Sequence, residues 1–362
     1  MKFRAQKRLF SEAFAKAAIV CPSRSPKEVL QSVLVTATND MAQLTANNLE
    51  TGVRLQTEAD IIKPGKALLP QGVVSNILRE SSSEEIEFDL DDKSSRLTVC
   101  CGSSQFIIPT RNPDEYPAPE FSTDGNGLSF APADLVRAIG NTAFATDPDS
   151  TRFALGGVLF EGDNVVGTDG RRLSHCVLPL INDDAENFNA ILPTSSAHAL
   201  AKLANGDTGM LWANTSSITY SDENIEFYAR QVEGRFPNWR NVIPDTVGGE
   251  HSSFAIPAGT LNSLVRQASI MADKETRGVD FQIDGRLMTV KASGSDIGKS
   301  SIQYDFEEAP GNISVRVDCR FLIQFLDKFS AEEVTVHYLS STQPVVIRES
   351  TFTYVLMPMA QG

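Results

Sequence analysis

The residue types that most often carry out chemistry are scattered in this sequence. No HExxH spacing that could hold zinc joins the four histidines: His175, His198, His251 and His337. The five cysteines include an adjacent pair and no CxxC, which is typical of reduced thiols: Cys21, Cys100, Cys101, Cys176 and Cys319. GxSxG, Walker, GxGxxG and protein-kinase motifs do not occur. These patterns favour a protein without a metal, a cofactor or a catalytic site.

One pair of residues keeps an enzymatic alternative open. Asp169 and His175 flank the same predicted hairpin, and alternation along a strand can bring both side chains to one face. A pocket that joins a histidine to a carboxylate can carry out acid–base catalysis. The alternative is therefore an acidic, multi-domain hydrolase or transferase of the cytoplasm.

Charge and composition limit the class of protein further. The 362 residues include 32 basic and 46 acidic ones, a net charge of −14, and 41% of the residues are hydrophobic. This composition predicts a globular protein of several domains. No segment approaches the ~20 apolar residues of a membrane span, and the N-terminus lacks the apolar core of a signal peptide. We expect a cytoplasmic protein with no membrane partner, and the net charge excludes a generally basic protein that coats DNA.

The elements that must position any site repeat three times along the chain. Each repeat predicts a short strand, an amphipathic helix, a strand-rich block, a strand leading into a second helix, and closing strands. The apolar faces of the helices have helical spacing: Phe10, Ala13, Phe14, Ala17; Val74, Ile77, Leu78; Leu135, Ala138, Ile139; Leu200, Leu203, Ala204; Leu261, Leu264, Val265, Ala268; Leu322, Phe325, Leu326, Phe329. Asp169-Gly170 and Asp284-Gly285 indicate hairpin turns.

This repeat predicts an α+β fold with three domains, at residues 1–122, 128–245 and 251–362. Each domain is expected to pack two helices on antiparallel sheets, with about eight strands. Segments rich in turn residues, 122–127 and 245–250, mark the boundaries.

Five segments together resemble one family, the bacterial sliding clamp, which is the beta subunit of the replicative DNA polymerase. They are residues 1–3 (MKF), 166–173 (VGTDGRRL), 232–240 (VEGRFPNWR), 277–279 (RGV) and 354–359 (YVLMPM). The resemblance covers the whole length, with the motifs in the order of the family. It implies a non-catalytic processivity factor whose head-to-tail homodimer forms a ring around duplex DNA, with helices inside and sheets outside.

The resemblance also implies a hydrophobic cleft that binds short linear peptides of the replicative polymerase, the clamp loader and repair polymerases. The matching positions are Leu155, Thr168, Gly170, Arg172, Leu173, Pro237, Val242, Val346, Val355, Met357, Pro358 and Met359. Methionines suit a groove that accepts several ligands. Gly170 allows close backbone approach, and Arg172 is expected to offer charge-assisted hydrogen bonds at the rim.

Basic residues on the predicted helices indicate contacts with DNA phosphates. Each helix carries one, and in a ring these side chains would face the lumen: Lys16, Arg79, Arg137, Lys202, Arg266 and Lys328. Arg24, in the turn after the first helix, resembles a family position that touches DNA. The resemblance places the ring interface near residues 95–108 and residues 274–278 with the following edge strands.

Several positions depart from the family pattern and leave the peptide preference open. Arg171 stands where the best-studied members have a histidine. The others are Asn241, Thr276, Asp318, Phe321 and the tail 360–362. A second alternative therefore stays open, a clamp paralogue that keeps the ring but has lost some partners.

Overall fold

The structure is a computed structural model that describes residues 1–91, 95–124, 127–150, 154–182, 187–244, 252–329, 331–349 and 351–360. Within these ranges the chain forms six α-helices and 25 β-strands in the predicted threefold order, so the α+β class is confirmed. None of the helices described in these ranges is long and apolar enough to cross a membrane.

The elements of each third have the following bounds. The first third contains β1 (Lys2–Gln6), α1 (Lys7–Ala18), β2 (Ser32–Thr38), β3 (Met41–Asn47), β4 (Thr51–Glu58), β5 (Asp60–Lys63), β6 (Gly65–Pro70), α2 (Gln71–Glu80), β7 (Glu85–Asp91), β8 (Arg96–Cys101) and β9 (Ser104–Pro109). The second contains β10 (Gly127–Phe130), α3 (Pro132–Thr142), β11 (Gly157–Glu161), β12 (Asn164–Thr168), β13 (Arg172–Val177), β14 (Asn189–Pro193), α4 (Thr194–Leu203), β15 (Gly209–Ala213), β16 (Ser217–Ser221) and β17 (Ile225–Arg230). The last contains β18 (Ser252–Pro257), α5 (Ala258–Ser269), β19 (Gly278–Asp284), β20 (Leu287–Gly294), β21 (Gly298–Asp305), β22 (Ile313–Asp318), α6 (Cys319–Leu326), β23 (Glu333–Tyr338), β24 (Val345–Glu349) and β25 (Phe352–Leu356).

Packing divides the chain into two compact units. The first consists of Met1–Val136 and Pro179–Gln231. It contains a sheet of order β5-β1-β7-β8-β9 and a larger antiparallel sheet of order β10-β15-β16-β17-β4-β3-β2-β6. Its helix α1 buries the predicted apolar face, and Phe10 lies 4.8 Å from Phe88 of β7 between ring centroids. Burial of this face is the main driving force that fixes the helix on its sheet.

The second unit consists of Arg137–Leu178 and Val232–Gly362. Its larger sheet includes the run β11-β12-β13-β25-β24-β23-β18, and its smaller sheet has the order β21-β20-β19-β22. In α6, Phe325 stacks on Tyr354 of β25 with 4.6 Å between ring centroids. The middle third of the chain therefore contributes to both units. The three predicted domains stay a prediction, and several of their predicted boundary residues (125–126, 245–251 and 361–362) lie outside the described residues.

One predicted helix end is wrong by a few residues. The helical pattern of the last third reaches Phe329, but α6 ends at Leu326. The Lys328 N–H donates to the Phe325 carbonyl three residues earlier, which tightens the last turn and leaves Lys328 beyond the helix. Asp318 caps the start of α6, because its side chain accepts a hydrogen bond from the Arg320 N–H.

Replacing Gly167 of β12 by alanine is expected to destabilise the second unit. A β-carbon there would lie 2.1 Å from the carbonyl oxygen of Thr142, which ends α3. A backbone atom cannot turn aside as the end of a flexible side chain can. We expect Gly167→Ala to lower the free energy of unfolding by about 1–3 kcal/mol, measured by urea denaturation.

Gly140 of α3 offers the matched control, because a β-carbon added there would meet open space. Gly140→Ala is expected to raise the free energy of unfolding by up to about 1 kcal/mol through helix propensity. If Gly167→Ala left the stability unchanged, the close approach of α3 to β12 would be contradicted.

Candidate functional site

Four of the predicted cleft residues form one row across the larger sheet of the second unit. Thr168 lies opposite Leu173, Leu173 opposite Val355, and Val355 opposite Val346. Directly opposed residues of antiparallel strands point to the same face. All four side chains are nearly fully buried. We call these four residues the floor row, because the segment described next passes above them.

The connecting segment, residues 232–244, passes over the same face of the sheet. His175 lies two residues after Leu173 on β13 and stacks on Trp239, with 4.8 Å between ring centroids. Arg348 lies two residues after Val346 and donates through Nη2 to the Pro244 carbonyl at 3.0 Å. Residues two apart on a strand share a face. The segment is therefore fixed above the floor row at both Trp239 and Pro244.

The cleft residues of the connecting segment are less buried than the floor row. Pro237 is half-buried, and Val242 is 37% exposed at the end of a short 3-10 turn, Trp239–Val242. Leu155 is buried, and its neighbour Ala154 lies with its backbone beside Gly234 of the segment. Apolar side chains that remain partly accessible beside a buried apolar row are suited to receive another apolar side chain.

The C-terminal tail, residues 357–359, is fixed by two backbone hydrogen bonds. The Met357 N–H donates to the Arg171 carbonyl at 2.9 Å, and the Met359 N–H donates to the Arg316 carbonyl at 2.8 Å. Met357 is 39% exposed, while Pro358 and Met359 are half-buried. The tail thus continues β25 past the β12–β13 turn and presents flexible thioether side chains at a defined place.

The turn between β12 and β13 is held by its own side chains. Asp169 accepts hydrogen bonds from the backbone N–H groups of Arg171 and Arg172, at 2.9 and 3.0 Å. The Thr168 hydroxyl donates to the Arg172 carbonyl at 2.6 Å. Gly170 is exposed with φ of +83°, a backbone conformation that side chains rarely adopt. The turn therefore presents bare backbone at its tip.

Arg172 lies inside the site, and its expected place at the rim is wrong. Its guanidinium donates to Asp169 at 3.0 Å, to the Gln324 side chain at 2.5 Å and to the Phe144 carbonyl at 2.7 Å. It also lies 4.4 Å from the ring centroid of Phe321. Because these groups already accept its hydrogen bonds, Arg172 supports the turn from below. The exposed cation of this turn is Arg171.

Asp169 and His175 have separate partners and do not form the acid–base pair of the enzymatic alternative. Asp169 binds the turn and Arg172, whereas His175 Nε2 lies 2.9 Å from the Asn164 Oδ1 atom. Burial lowers the pKa of His175, while nearby Asp163 opposes the shift. In the part of the chain that the structure describes, no three histidine, cysteine or acidic side chains could hold a metal ion.

The predicted DNA contacts are basic residues of both units, and most are exposed. Lys16 and Arg137 are half-buried; the exposed ones are Arg24, Arg79, Lys202, Arg266 and Lys328. Some of them already have local partners. Arg266 donates to both oxygens of Asp327 at 2.6 and 2.7 Å and so lowers the pKa of that carboxyl group. Arg137 donates to the Thr351 hydroxyl at 3.3 Å.

Sequence reasoning missed the side chains that support the site from distant segments. Trp239 stands within the motif of residues 232–240, but its stacking on His175 has no signal in the spacing. Phe321 and Gln324 of α6 hold Arg172, and of these two residues the sequence singles out only Phe321, as a departure from the family pattern.

Three family models match the chain in succession. The N-terminal domain of the DNA polymerase III beta subunit matches residues 1–120, its central domain matches residues 130–238, and its C-terminal domain matches residues 240–360. The beta sliding clamp of Pseudomonas aeruginosa is 24% identical over 371 residues, covering 99% of this chain and 100% of the relative. That of Streptomyces coelicolor is 26% identical over 385 residues, covering 99% of each.

Solved structures show the same fold over 100% of both chains. The DNA polymerase III subunit beta of Pseudomonas aeruginosa has a TM-score of 0.91 at 23% identity, and the same organism's clamp bound to griselimycin has 0.92 at 23%. The polymerase sliding clamp of Bacillus subtilis has 0.91 at 18%. Because the three family models together cover nearly the whole chain, it belongs to the DNA polymerase III beta subunit family, the sliding clamps that act as non-catalytic processivity factors.

Proposed function

We propose that this clamp binds partner peptides at the floor row, between the connecting segment and the C-terminal tail. The observation that carries the proposal is the buried floor row, three of whose four side chains are apolar, together with partly exposed Val242 on the connecting segment and Met357 on the tail. An apolar anchor of a short peptide can extend the contacts of this row, while the exposed residues close around it. The partners are the replicative polymerase subunit, the clamp loader and repair polymerases.

The proposed site consists of the residues that the sequence analysis predicted for the cleft, but the role of Arg172 changes. Leu155, Pro237, Pro358 and Met359 border the floor row, and Gly170 leaves the turn open. Arg172 holds the turn in place, so the rim charge comes from Arg171. A clamp with this site is either the housekeeping clamp or a paralogue with fewer partners. Measuring which partner peptides it binds distinguishes the two.

The proposed domains are residues 1–122, 128–245 and 251–362. The three family models and the threefold order of elements support this division. In each unit, one pair of strands joins two successive thirds of the chain, and both pairs follow one rule. The last strand of one third pairs with the third strand after the first helix of the preceding third: β17 with β4, and β25 with β13.

Applying this rule once more predicts how two copies join into a ring. The remaining strands are β9, the last of the first third, and β21, the third strand after α5. Each is terminal in its sheet within the described residues. Phe106 and Ile107 of β9 are 39% and 60% exposed, and Ile270, which follows α5, is also exposed. Pairing of β9 with β21 of a second copy, and the reciprocal pair, gives a head-to-tail homodimer.

The proposed ring encircles duplex DNA and binds it independently of the base sequence. Lys16, Arg24, Arg79, Arg137, Lys202, Arg266 and Lys328 are the proposed contacts with phosphates. Because Arg266 and Arg137 also have partners within the protein, we expect weak contacts that permit sliding.

Removal of residues 357–362 is expected to weaken peptide binding at least about tenfold, because the tail forms one wall of the site. Fluorescence anisotropy with a labelled peptide from the clamp-binding segment of the cognate polymerase measures this loss. Met357→Ala is expected to show part of it, and Met41→Ala, on β3 of the first unit, serves as the matched control. Equal affinity of the shortened and complete proteins would refute the proposed site.

Ile107→Asp is expected to convert the dimer into monomers, because a buried charge at the β9 edge opposes pairing. Light scattering at micromolar concentration should give twice the chain mass for the wild type and the single mass for the variant. Ile181→Asp is the control, since Ile181 is 65% exposed and outside β9. A wild-type monomer would contradict the proposed ring.

Replacing Arg24 and Lys202 together by alanine is expected to weaken binding to linear duplex DNA. The slope of log affinity against log salt should decrease by about 2, because two phosphate contacts are lost. Lys63→Ala combined with Lys291→Ala, two strand residues, should leave the slope unchanged. The reverse pattern would place the DNA contacts on the sheets.

A further inference from the structure

A cluster of polar and aromatic side chains holds the start of the 3-10 turn in the second unit. We call Glu161, Asn164, His175, Trp239 and Arg240 the indole cluster. The rings of His175 and Trp239 stack at 25°. The indole Nε1–H donates to Glu161 at 2.9 Å, and the Arg240 guanidinium lies 4.3 Å from the indole centroid on its way to the same carboxylate. Trp239 is thereby fixed on three sides.

The orientation of His175 follows from the hydrogen bonds of Asn164. The Asn164 Nδ2 atom donates to the Glu161 carbonyl and to the Asp163 carboxylate, at 3.2 and 2.7 Å. Its Oδ1 atom therefore faces His175 as an acceptor, and His175 Nε2 carries the hydrogen. A ring held at its edge in this way offers its flat face to the indole.

The rest of the 3-10 turn has few supports of its own. Trp239 is only 6% exposed, whereas Arg240, Asn241 and Val242 are exposed. No side chain caps the turn. Its course is set by Trp239 at one end and by the bond from Arg348 to the Pro244 carbonyl at the other. Movement of the indole would therefore displace Val242 relative to the floor row.

We infer that His175 and Trp239 are positioning residues for the peptide site, which set the distance between Val242 and the floor row without touching the peptide. The inference rests on the proposed function. It assigns a role to His175, which the acid–base alternative had singled out for another reason. The consequence is that peptide affinity depends on an aromatic contact behind the binding surface.

The test compares His175→Ala, which removes the ring, with His175→Phe, which keeps a ring without the hydrogen bond to Asn164. Each is titrated by anisotropy with the labelled polymerase peptide. Loss of the stacking energy of one aromatic pair can lower the affinity for the peptide by up to about tenfold. We expect about tenfold weaker binding for His175→Ala and a change within about twofold for His175→Phe. Phe121→Ala, which removes the ring beneath Arg54 in the first unit, is the control.

A second measurement reports the indole directly. The chain has two tryptophans, so a Trp212→Phe background leaves Trp239 as the single reporter. His175→Ala should shift its emission to longer wavelength as water reaches the ring, and His175→Phe should not. The melting temperatures of both variants show whether either is generally destabilised. If general destabilisation weakened peptide binding equally in His175→Ala and His175→Phe, the inference would be overturned.

The outcomes separate this inference from the proposed function. A wild-type protein that does not bind the peptide overturns both. Wild-type binding together with unchanged affinity of His175→Ala overturns the positioning role alone. If His175→Ala does not fold, Trp239→Leu, which loses both the aromatic ring and the bond to Glu161, takes its place. An affinity equal to that of the wild type would then overturn the inference.

Discussion

The antiparallel pairing of β13 with β25 is the constraint on which the site depends. It joins the two separate chain segments of the second unit and sets Leu173 beside Val355. A shift of one residue would turn every side chain of β25 to the other face, moving Val355 into the helix-packed core and Leu356 out of it. The stack of Tyr354 on Phe325 opposes that shift. The core of α6 and the floor row therefore specify the same register from opposite faces of one strand.

Two arginines of this acidic protein are neutralised by carboxylates close to them. Arg172 is neutralised and hydrogen-bonded within the site, and Arg266 is paired with Asp327. A buried cation without such partners would cost several kcal/mol. Arg171, one residue from Arg172, remains exposed on the same turn. Two adjacent arginines thus have opposite roles, one supporting the backbone and the other available to solvent.

The sequence predicted the repeated elements well, because their apolar spacing is local. The buried faces of α1 and α5 coincide with the predicted residues. It misplaced Arg172, whose burial depends on Gln324 and Phe321 of a distant helix. It also had no means to join His175 to Trp239, since stacking between separate segments leaves no period in the chain. Residues whose position depends on tertiary contacts were therefore the ones that spacing alone could not assign.

The way the C-terminal tail is attached bears on how such a site can change over evolutionary time. Its two described anchors are backbone N–H groups of Met357 and Met359, which any residue other than proline supplies. The side chains at these positions can therefore be exchanged while the path of the tail is kept. For the proposed peptide site, this means that partner preference can change by single substitutions in the tail while the tail keeps its place beside the floor row.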